Sequence, residues 1–444
     1  MNDQRRQSAA LTVFAFLAMF PATLAAPVLR EFVRDVYPVG DDGAAWFLST
    51  GMFGSILAAP FAGWISDRLG RRRVLILWGA AINALCWAFI PYTPNFTIAL
   101  TIRLIEGASS VFIIAPVLTL VSDHESGDSV LFGWVGMCLM LGAAAGLAVG
   151  GFVGTRDAFA PFALAALCMF GNLAFAALIL RDAPGTRPRP DTTGLDARAV
   201  SRFKYFATLP ARLRDTLSAA PLLWLPLAFA FADRFCVGYL MSSLNLRMRG
   251  ELAFSPATSG GILGTTMLLM AVLSPGAAKL AHNQKHSGPV RLARFVAGGS
   301  ILYGVGIALT GSVVSSAGLL SAAILAGIGA GLMHAPTMIL AARLSPPAVR
   351  ATAMSAFVGL GSLGNLCGPL VSRWLEVWYK NVTADFAFPL LAGSFGAAEI
   401  VLAFALLIAM RATGMISQAG YAPNNTTTTN RTPRNLLARD SLSE

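Results

Sequence analysis

The chain has 444 residues, 55% hydrophobic and only 12% charged, with a mean hydropathy of +0.64. Ordinary soluble domains carry about 25% charged residues, so a string of soluble domains is excluded and lipid is the implied solvent. The net charge of +11 sits in loops between apolar blocks, where it serves membrane orientation and needs no nucleic-acid partner.

A hydrocarbon core of roughly 30 Å takes about 20 apolar residues to cross. Twelve stretches meet that length in chain order: 9–29, 44–66, 74–92, 97–121, 130–153 and 159–180, then 219–246, 258–282, 289–311, 316–342, 351–373 and 386–411. Arg5 and Arg6 ahead of the first give it the look of a secretion signal. Its apolar run is longer than a signal core and eleven spans follow, so a retained first helix is expected. The expected fold is all-α and integral to the membrane. Residues 1–180 form an N-terminal six-helix bundle and 219–411 a C-terminal one. They are joined by a basic cytoplasmic linker at 181–218, and 412–444 form a polar, disordered cytoplasmic tail.

Orientation follows from the bias of Lys and Arg toward cytoplasmic loops. About 23 of the 33 basic residues fall on the side of the termini and about 7 on the other. Both termini are therefore expected in the cytoplasm, with the linker close enough to touch anionic lipid head groups. All five cysteines, Cys86, Cys138, Cys168, Cys236 and Cys367, lie in predicted spans without a C-x-x-C pair. They read as small apolar residues rather than disulfides or metal ligands. There is no phosphate-binding G-x-x-x-x-G-K-[ST] loop, no H-E-x-x-H and no other catalytic constellation. No cofactor, no metal and no enzymatic activity are expected.

The chain repeats itself. Residues 106–120 (EGASSVFIIAPVLTL) align with 326–340 (AGIGAGLMHAPTMIL) at a shift of 220, matching Gly107 to Gly327 and Ala115-Pro116 to Ala335-Pro336. At a shift of 222, Gly142 and Gly146 fall on Gly364 and Gly368. Two parallel six-helix halves explain the order, with a site at their interface near mid-membrane.

The loop after the second span reads Gly63-Trp-Ile-Ser-Asp67-Arg68-Leu-Gly70-Arg71-Arg72-Arg73. Gly63 lets helices approach closely, Asp67 can cap a helix N-terminus and Arg71 can pair with a carboxylate. This loop resembles the signature G-x-x-x-D-R-x-G-R-R of the major facilitator superfamily, at the right place between spans two and three. The resemblance implies secondary transport by alternating access. It also implies a cytoplasmic latch of Gly63, Asp67, Arg68, Gly70 and Arg71, completed by Asp123 at the end of the fourth span. The equivalent loop of the second half, from Pro275 to His286, lacks the Asp and the Arg run.

The fourth span carries Arg103-Leu-Ile-Glu106-Gly107, similar to the family's R-x-x-x-G motif. Arg103 and Glu106 are three apart, so they share a helix face and can pair. The resemblance implies proton coupling or substrate contact for Arg103, against a plain structural pair. The fifth span, Gly142-Ala-Ala-Ala-Gly146-Leu147-Ala-Val-Gly150-Gly151, partly matches the exporter pattern G-x-x-x-G-P-x-x-G-G, with Leu147 in place of the proline. The eleventh keeps Gly364, Gly368 and Pro369. These small residues suit close helix packing.

Asp233 and Arg234 lie mid-depth in the seventh span, with Tyr239 beyond. Intramembrane charges are costly and point to function or to buried pairing. Asp233 is the proton-carrier candidate. Arg234 would hold an anionic group or Glu106, because adjacent residues point about 100° apart and do not easily share one partner. His334 in the tenth span is a further titratable candidate. Asn83 and Tyr303 are weaker ones, and Glu399 in the last span reads as structural.

The expected function is proton-coupled transport of a small organic solute by a monomer, with protons and membrane lipids as the other partners. Export by antiport is placed ahead of uptake, and a bacterial inner membrane is the expected site. An uptake symporter or facilitator and a transporter-like receptor remain the alternatives. Substrate charge stays open, since the spans hold both signs.

Overall fold

A computed structural model describes residues 2–37, 39–69, 71–124, 129–181, 221–282, 289–345 and 350–412. The 181–218 linker, apart from Arg181, and the tail beyond residue 412 lie outside them. Among the described residues there are twelve long helices and no strand. They are α1 (Asn2–Leu24), α2 (Asp42–Leu69), α3 (Arg72–Phe89), α4 (Phe96–His124), α5 (Ser129–Gly154) and α6 (Ala160–Leu178). The second set is α7 (Trp224–Tyr239), α8 (Pro256–His282), α9 (Pro289–Ser312), α10 (Ser316–Leu344), α11 (Arg350–Val382) and α12 (Ala387–Ala412). Ten of them, with short extensions, are long and apolar enough to cross a membrane, and α2 and α11 complete the twelve.

Each predicted span falls on one long helix, with local differences in the first, seventh and eleventh. In the seventh, α7 ends at Tyr239 and the rest of the span continues through a π turn, Leu240–Leu244, into a short helix, Asn245–Gly250. The first continues past Leu24 through a 3-10 turn into a short helix, Leu29–Val36. Its charged residues Arg30, Glu31, Arg34 and Asp35 broke the apolar run in the sequence. The eleventh runs on to Val382, because Arg373, Glu376 and Lys380 ion-pair beyond the apolar part.

The packing scheme is the same in both halves. In the first, α1 packs on α5 and α6, α2 on α4, and α3 on α4 and α6. Adding six to each number gives the second: α7 on α11 and α12, α8 on α10, and α9 on α10 and α12. The glycines explain one of these pairs in each half. A Cβ on Gly142, Gly146 or Gly150 of α5 would stand 2.3, 2.2 and 2.0 Å from the carbonyl oxygens of Phe16, Phe20 and Leu24 on α1. A Cβ on Gly364 or Gly368 of α11 would stand 2.3 and 2.6 Å from those of Phe231 and Phe235 on α7. Only a bare backbone fits there, so the matched glycines set the same helix–helix contact twice. Pro369, beside Gly368, packs its ring near Gly238 of α7. Pro116 and Pro336 lie inside α4 and α10, where each removes a helical hydrogen bond.

The halves meet through α5 with α8 and α2 with α11. Their hydrogen-bonded and ionic links gather toward the face opposite the bundle's first and last residues, here the distal face. Arg249 Nη2 lies 2.8 Å from Glu31 Oε1, and Arg373 Nε 2.6 Å from Asp42 Oδ1. Asn245 Nδ2 donates to the Ala26 carbonyl at 2.7 Å, and Ser49 Oγ to that of Leu366 at 2.9 Å. Gly151 and Gly260 bring α5 and α8 into backbone contact, since a Cβ on Gly151 would stand 2.3 Å from the Pro256 oxygen. Between these links lies a polar cleft of about 260 Å³ walled by Arg30, Asp41, Arg247, Glu251, Glu376 and Lys380.

Candidate functional site: two buried charge clusters

The first cluster sits on α4, about two turns from its distal end. Arg103 Nη1 donates to Glu106 Oε2, as the i,i+3 spacing predicts. Asn83 of α3 donates to Glu106 Oε1 at 3.0 Å and to its backbone oxygen at 3.1 Å. The Arg103 guanidinium lies 5.2 Å from the ring centres of both Phe47 and Trp87, within cation–π range. Glycine makes the seat. A Cβ on Gly51 would fall 2.7 Å from Arg103 Cζ, and one on Gly107 would fall 1.8 Å from the Gly51 oxygen. Both side chains are sealed, with 6% and 4% exposure. Arg103 therefore does not snorkel outward.

The second cluster joins α7 to α10. Asp233 Oδ2 lies 3.2 Å from His334 Nδ1 and 3.6 Å from Arg234 Nε. Arg234 Nη2 lies 3.4 Å from His334 Nε2. This corrects two expectations from the sequence. Arg234 does not reach Glu106, which is held on α4 by Arg103. Asp233 and Arg234 do share a partner, because an imidazole offers one nitrogen on each edge and two neighbouring side chains can reach it from different directions. Asp233 is only 4% exposed and its Oδ1 has no hydrogen-bond partner. Arg234 and His334, however, are 20% and 27% exposed. The cluster therefore communicates with open space and the first one does not.

Tyr239 is fully buried, its hydroxyl 2.9 Å from Thr310 Oγ1, so it packs rather than lining an opening in this conformation. Immediately after it, Leu240–Leu244 form one π-helical turn before Asn245–Gly250 resumes as α-helix. Such turns recur at functional sites. Tyr303 of α9 reaches the same region, its hydroxyl 3.5 Å from the Asp233 carbonyl oxygen.

The side chains of Asp67, Arg68 and Asp123, together with Gly63 and Gly70, lie outside the described residues; Arg71 is exposed just before α3. No group of three or more metal-ligating side chains forms among the described residues. Sequence reasoning passed over the cross-half pairs Glu31–Arg249 and Asp42–Arg373. The available signal was acidic residues after the first span facing basic ones after the seventh and in the eleventh.

A multi-pass helical membrane protein with two matched halves and intramembrane charges has the build of a solute transporter. Solved structures agree on the fold. A peptide transporter of the POT family, solved with sulfate, superposes with TM-score 0.69 at 18% identity, covering 93% of this chain and 95% of that one. The human organic anion transporter MFSD10 superposes with TM-score 0.63 at 19% identity, covering 91% and 99%. The family model of the Major Facilitator Superfamily matches residues 11–369, and the chain belongs to that family. Among curated relatives, the class B tetracycline resistance protein of Escherichia coli is 30% identical over 198 residues, 43% of this chain and 48% of that protein. The class G tetracycline resistance protein of Vibrio anguillarum is 32% identical over 162 residues, 35% and 40%. The matches span about half or less of these relatives' length.

Proposed function

We propose that this protein is a proton-coupled exporter of amphiphilic organic compounds, working by alternating access between its two halves. The observation that carries the reading is the Asp233–His334–Arg234 cluster. It is the intramembrane charge cluster whose members reach open space, and its carboxylate keeps one oxygen without a partner. A carboxylate beside an imidazole is chemistry suited to passing a proton between the two. Intramembrane acid–imidazole groups of this kind mark proton relays.

In this reading the distal face is the outer one, as the basic loops of the opposite face require, and the protein stands closed to the outside. Asp233 takes up a proton when the halves expose it outward and releases it inward as substrate is taken on. Arg234, held by Asp233 and His334, is freed when Asp233 is neutralised, which links proton binding to the charge the cavity presents. Export is placed ahead of uptake because the curated relatives matched include proteins named as tetracycline or multidrug resistance proteins. The first cluster serves as a fixed strut between α3 and α4, and the protein works as a monomer in a cytoplasmic membrane.

The test uses purified protein in liposomes with an internal pH dye and tetracycline as the probe. Tetracycline-evoked proton movement is expected in the antiport direction, and Asp233→Asn should abolish it. Full proton flux in that variant, or movement in the symport direction, would sink the assignment.

A further inference from the structure

One buried acid is left without a role by the mechanism above. Glu399 lies in the middle of α12, and its exposure is 0%. α12 packs on α9, α7 and α11, and the side chain faces into that packing. Glu399 has no basic partner in any ion pair among the described residues. Its one side-chain hydrogen bond among the described residues is with Ser300 of α9, Oε2 to Oγ at 2.6 Å, and Oε1 has none there. Ser300 Oγ also lies 2.9 Å from the backbone oxygen of Glu399 itself.

Charge, more than hydrogen counting, separates the two species. A serine hydroxyl has one hydrogen to give. If Glu399 were ionised, that hydrogen would serve the carboxylate, since the Glu399 backbone oxygen lies inside α12 and keeps its helical donor. The carboxylate would then have no countercharge among the described residues. If Glu399 is the neutral acid, every hydrogen has a place: Oε2–H donates to Ser300 Oγ, and Ser300 donates to the Glu399 carbonyl. Burying an unpaired carboxylate is far costlier than burying a hydrogen-bonded acid. The site is therefore built around a bound proton.

We propose that Glu399 is a second proton-binding carboxyl of the transport cycle, held on Ser300 while the distal face is closed. The proposal rests on the exporter reading for its place in the cycle. Ser300 and Tyr303 are three apart on α9, so one face of that helix touches Glu399 and the backbone of Asp233. Asp233 and Cys236 of α7 and Tyr303 of α9 are the titratable groups that feel its charge. The α11 charges Arg373, Glu376 and Lys380 are engaged with one another and with Asp42 at the distal end. Both carboxyls lie in the second half and carry like charge when ionised, so a negative charge on Asp233 opposes one on Glu399. On release, the proton leaves Oε2 for water admitted when α12 shifts on α9. The Ser300 hydroxyl then turns from the backbone oxygen to the new carboxylate.

The test is an infrared titration of the purified protein in lipid nanodiscs, from mildly acidic to alkaline pH. A protonated-carboxyl band is expected at neutral pH that fades as pH rises. It should be missing in Glu399→Gln and shifted in frequency in Ser300→Ala. If the Gln variant does not fold, the titrating band of the wild type and its shift in Ser300→Ala read the same group. A band that never titrates, or one unchanged in both variants, overturns the proposal. In liposomes with tetracycline as the probe, Glu399→Gln should cut the protons moved per probe molecule to about half. An unchanged ratio overturns it as well. If tetracycline moves no protons even with the wild type, the exporter reading fails on its own, and the infrared titration still decides for Glu399.

Discussion

Glu31→Gln is the most informative single change at the distal face. Glu31 belongs to the short helix that continues α1, and Arg249 to the segment that continues α7, so their pair spans the two halves. The side chains are 19% and 12% exposed. Fully exposed pairs contribute about 0–1 kcal/mol, and breaking a fully buried one costs about 3–5 kcal/mol. This pair lies between, at about 1.5–3 kcal/mol. Arg249 keeps its bond to the Phe254 carbonyl, which holds the loss to the lower part of that range. The pair exists only while the halves touch, so the whole loss falls on the closed state. With about 1.4 kcal/mol per tenfold, a loss in the lower part of that range should open the distal face about ten- to fortyfold more often. Ser49 reports it, since it is 2% exposed beneath the Leu366 carbonyl. In a background with the five native cysteines replaced by Ala, Ser49→Cys should react with an impermeant maleimide faster by that factor when Glu31→Gln is added. Arg34→Gln is the control, because Arg34 and Asp35 are adjacent in one segment and more than half exposed. Equal labelling with and without Glu31→Gln, or an equal rise with Arg34→Gln, would refute the reasoning.

Three other expectations concern the helices and the buried charges. Gly150→Ala places a methyl group 2.0 Å from the Leu24 oxygen and should destabilise by about 1–3 kcal/mol. Gly171→Ala, which meets nothing within 4 Å, should stay within about 0.5 kcal/mol; thermal unfolding in detergent compares them. Arg103→Gln leaves Glu106 without its cation and should cost about 3–5 kcal/mol. The double variant with Glu106→Gln should recover much of that loss, and a double variant as unstable as the single would show that the pair is not the cause. His334→Gln removes the imidazole held 3.2 Å from Asp233 Oδ2, so probe-evoked proton flux should fall. Flux equal to that of the wild type would remove His334 from the relay.

The helices were legible in the sequence because membrane spans obey one strong constraint: an unbroken apolar length. The repeat was legible through residues whose chemistry is backbone chemistry. Gly142, Gly146, Gly364 and Gly368 recur because each half needs the same close contact, and Pro116 and Pro336 because each half gives up a helical hydrogen bond at the same place. The charge partners were legible only where sequence neighbours meet on one helix, as with Arg103 and Glu106. Asp233 with His334, Glu399 with Ser300 and Glu31 with Arg249 are pairs between helices. Which helices face each other is fixed by packing that no local pattern encodes. Glu399 shows the same limit: its depth could be read, but its direction could not.

These pairs divide by what they require of the two halves. Arg103–Glu106 closes on one helix, braced by Asn83, and is sealed from open space, so moving the halves leaves it intact. Glu31–Arg249 and Asp42–Arg373 exist only while the distal face is shut, so every opening breaks them. Asp233–His334 and Glu399–Ser300 lie inside the second half, between α7 and α10 and between α9 and α12. A rigid rocking motion alone would not disturb either pair. For a proton to be gained or lost there, water must reach the cluster, or the helices of the second half must shift on one another. The π turn at Leu240–Leu244 is the place built for such a shift. It lies between Asp233 and the distal ion-pair residues Arg247 and Arg249 on the same chain segment. Rewinding that turn to α-helix would rotate one end of the segment against the other, and under the proposed mechanism this would link the carboxyls to the closure of the distal face. A second half that adjusts internally, beside a first half braced by its sealed pair, is the division of labour these side chains support.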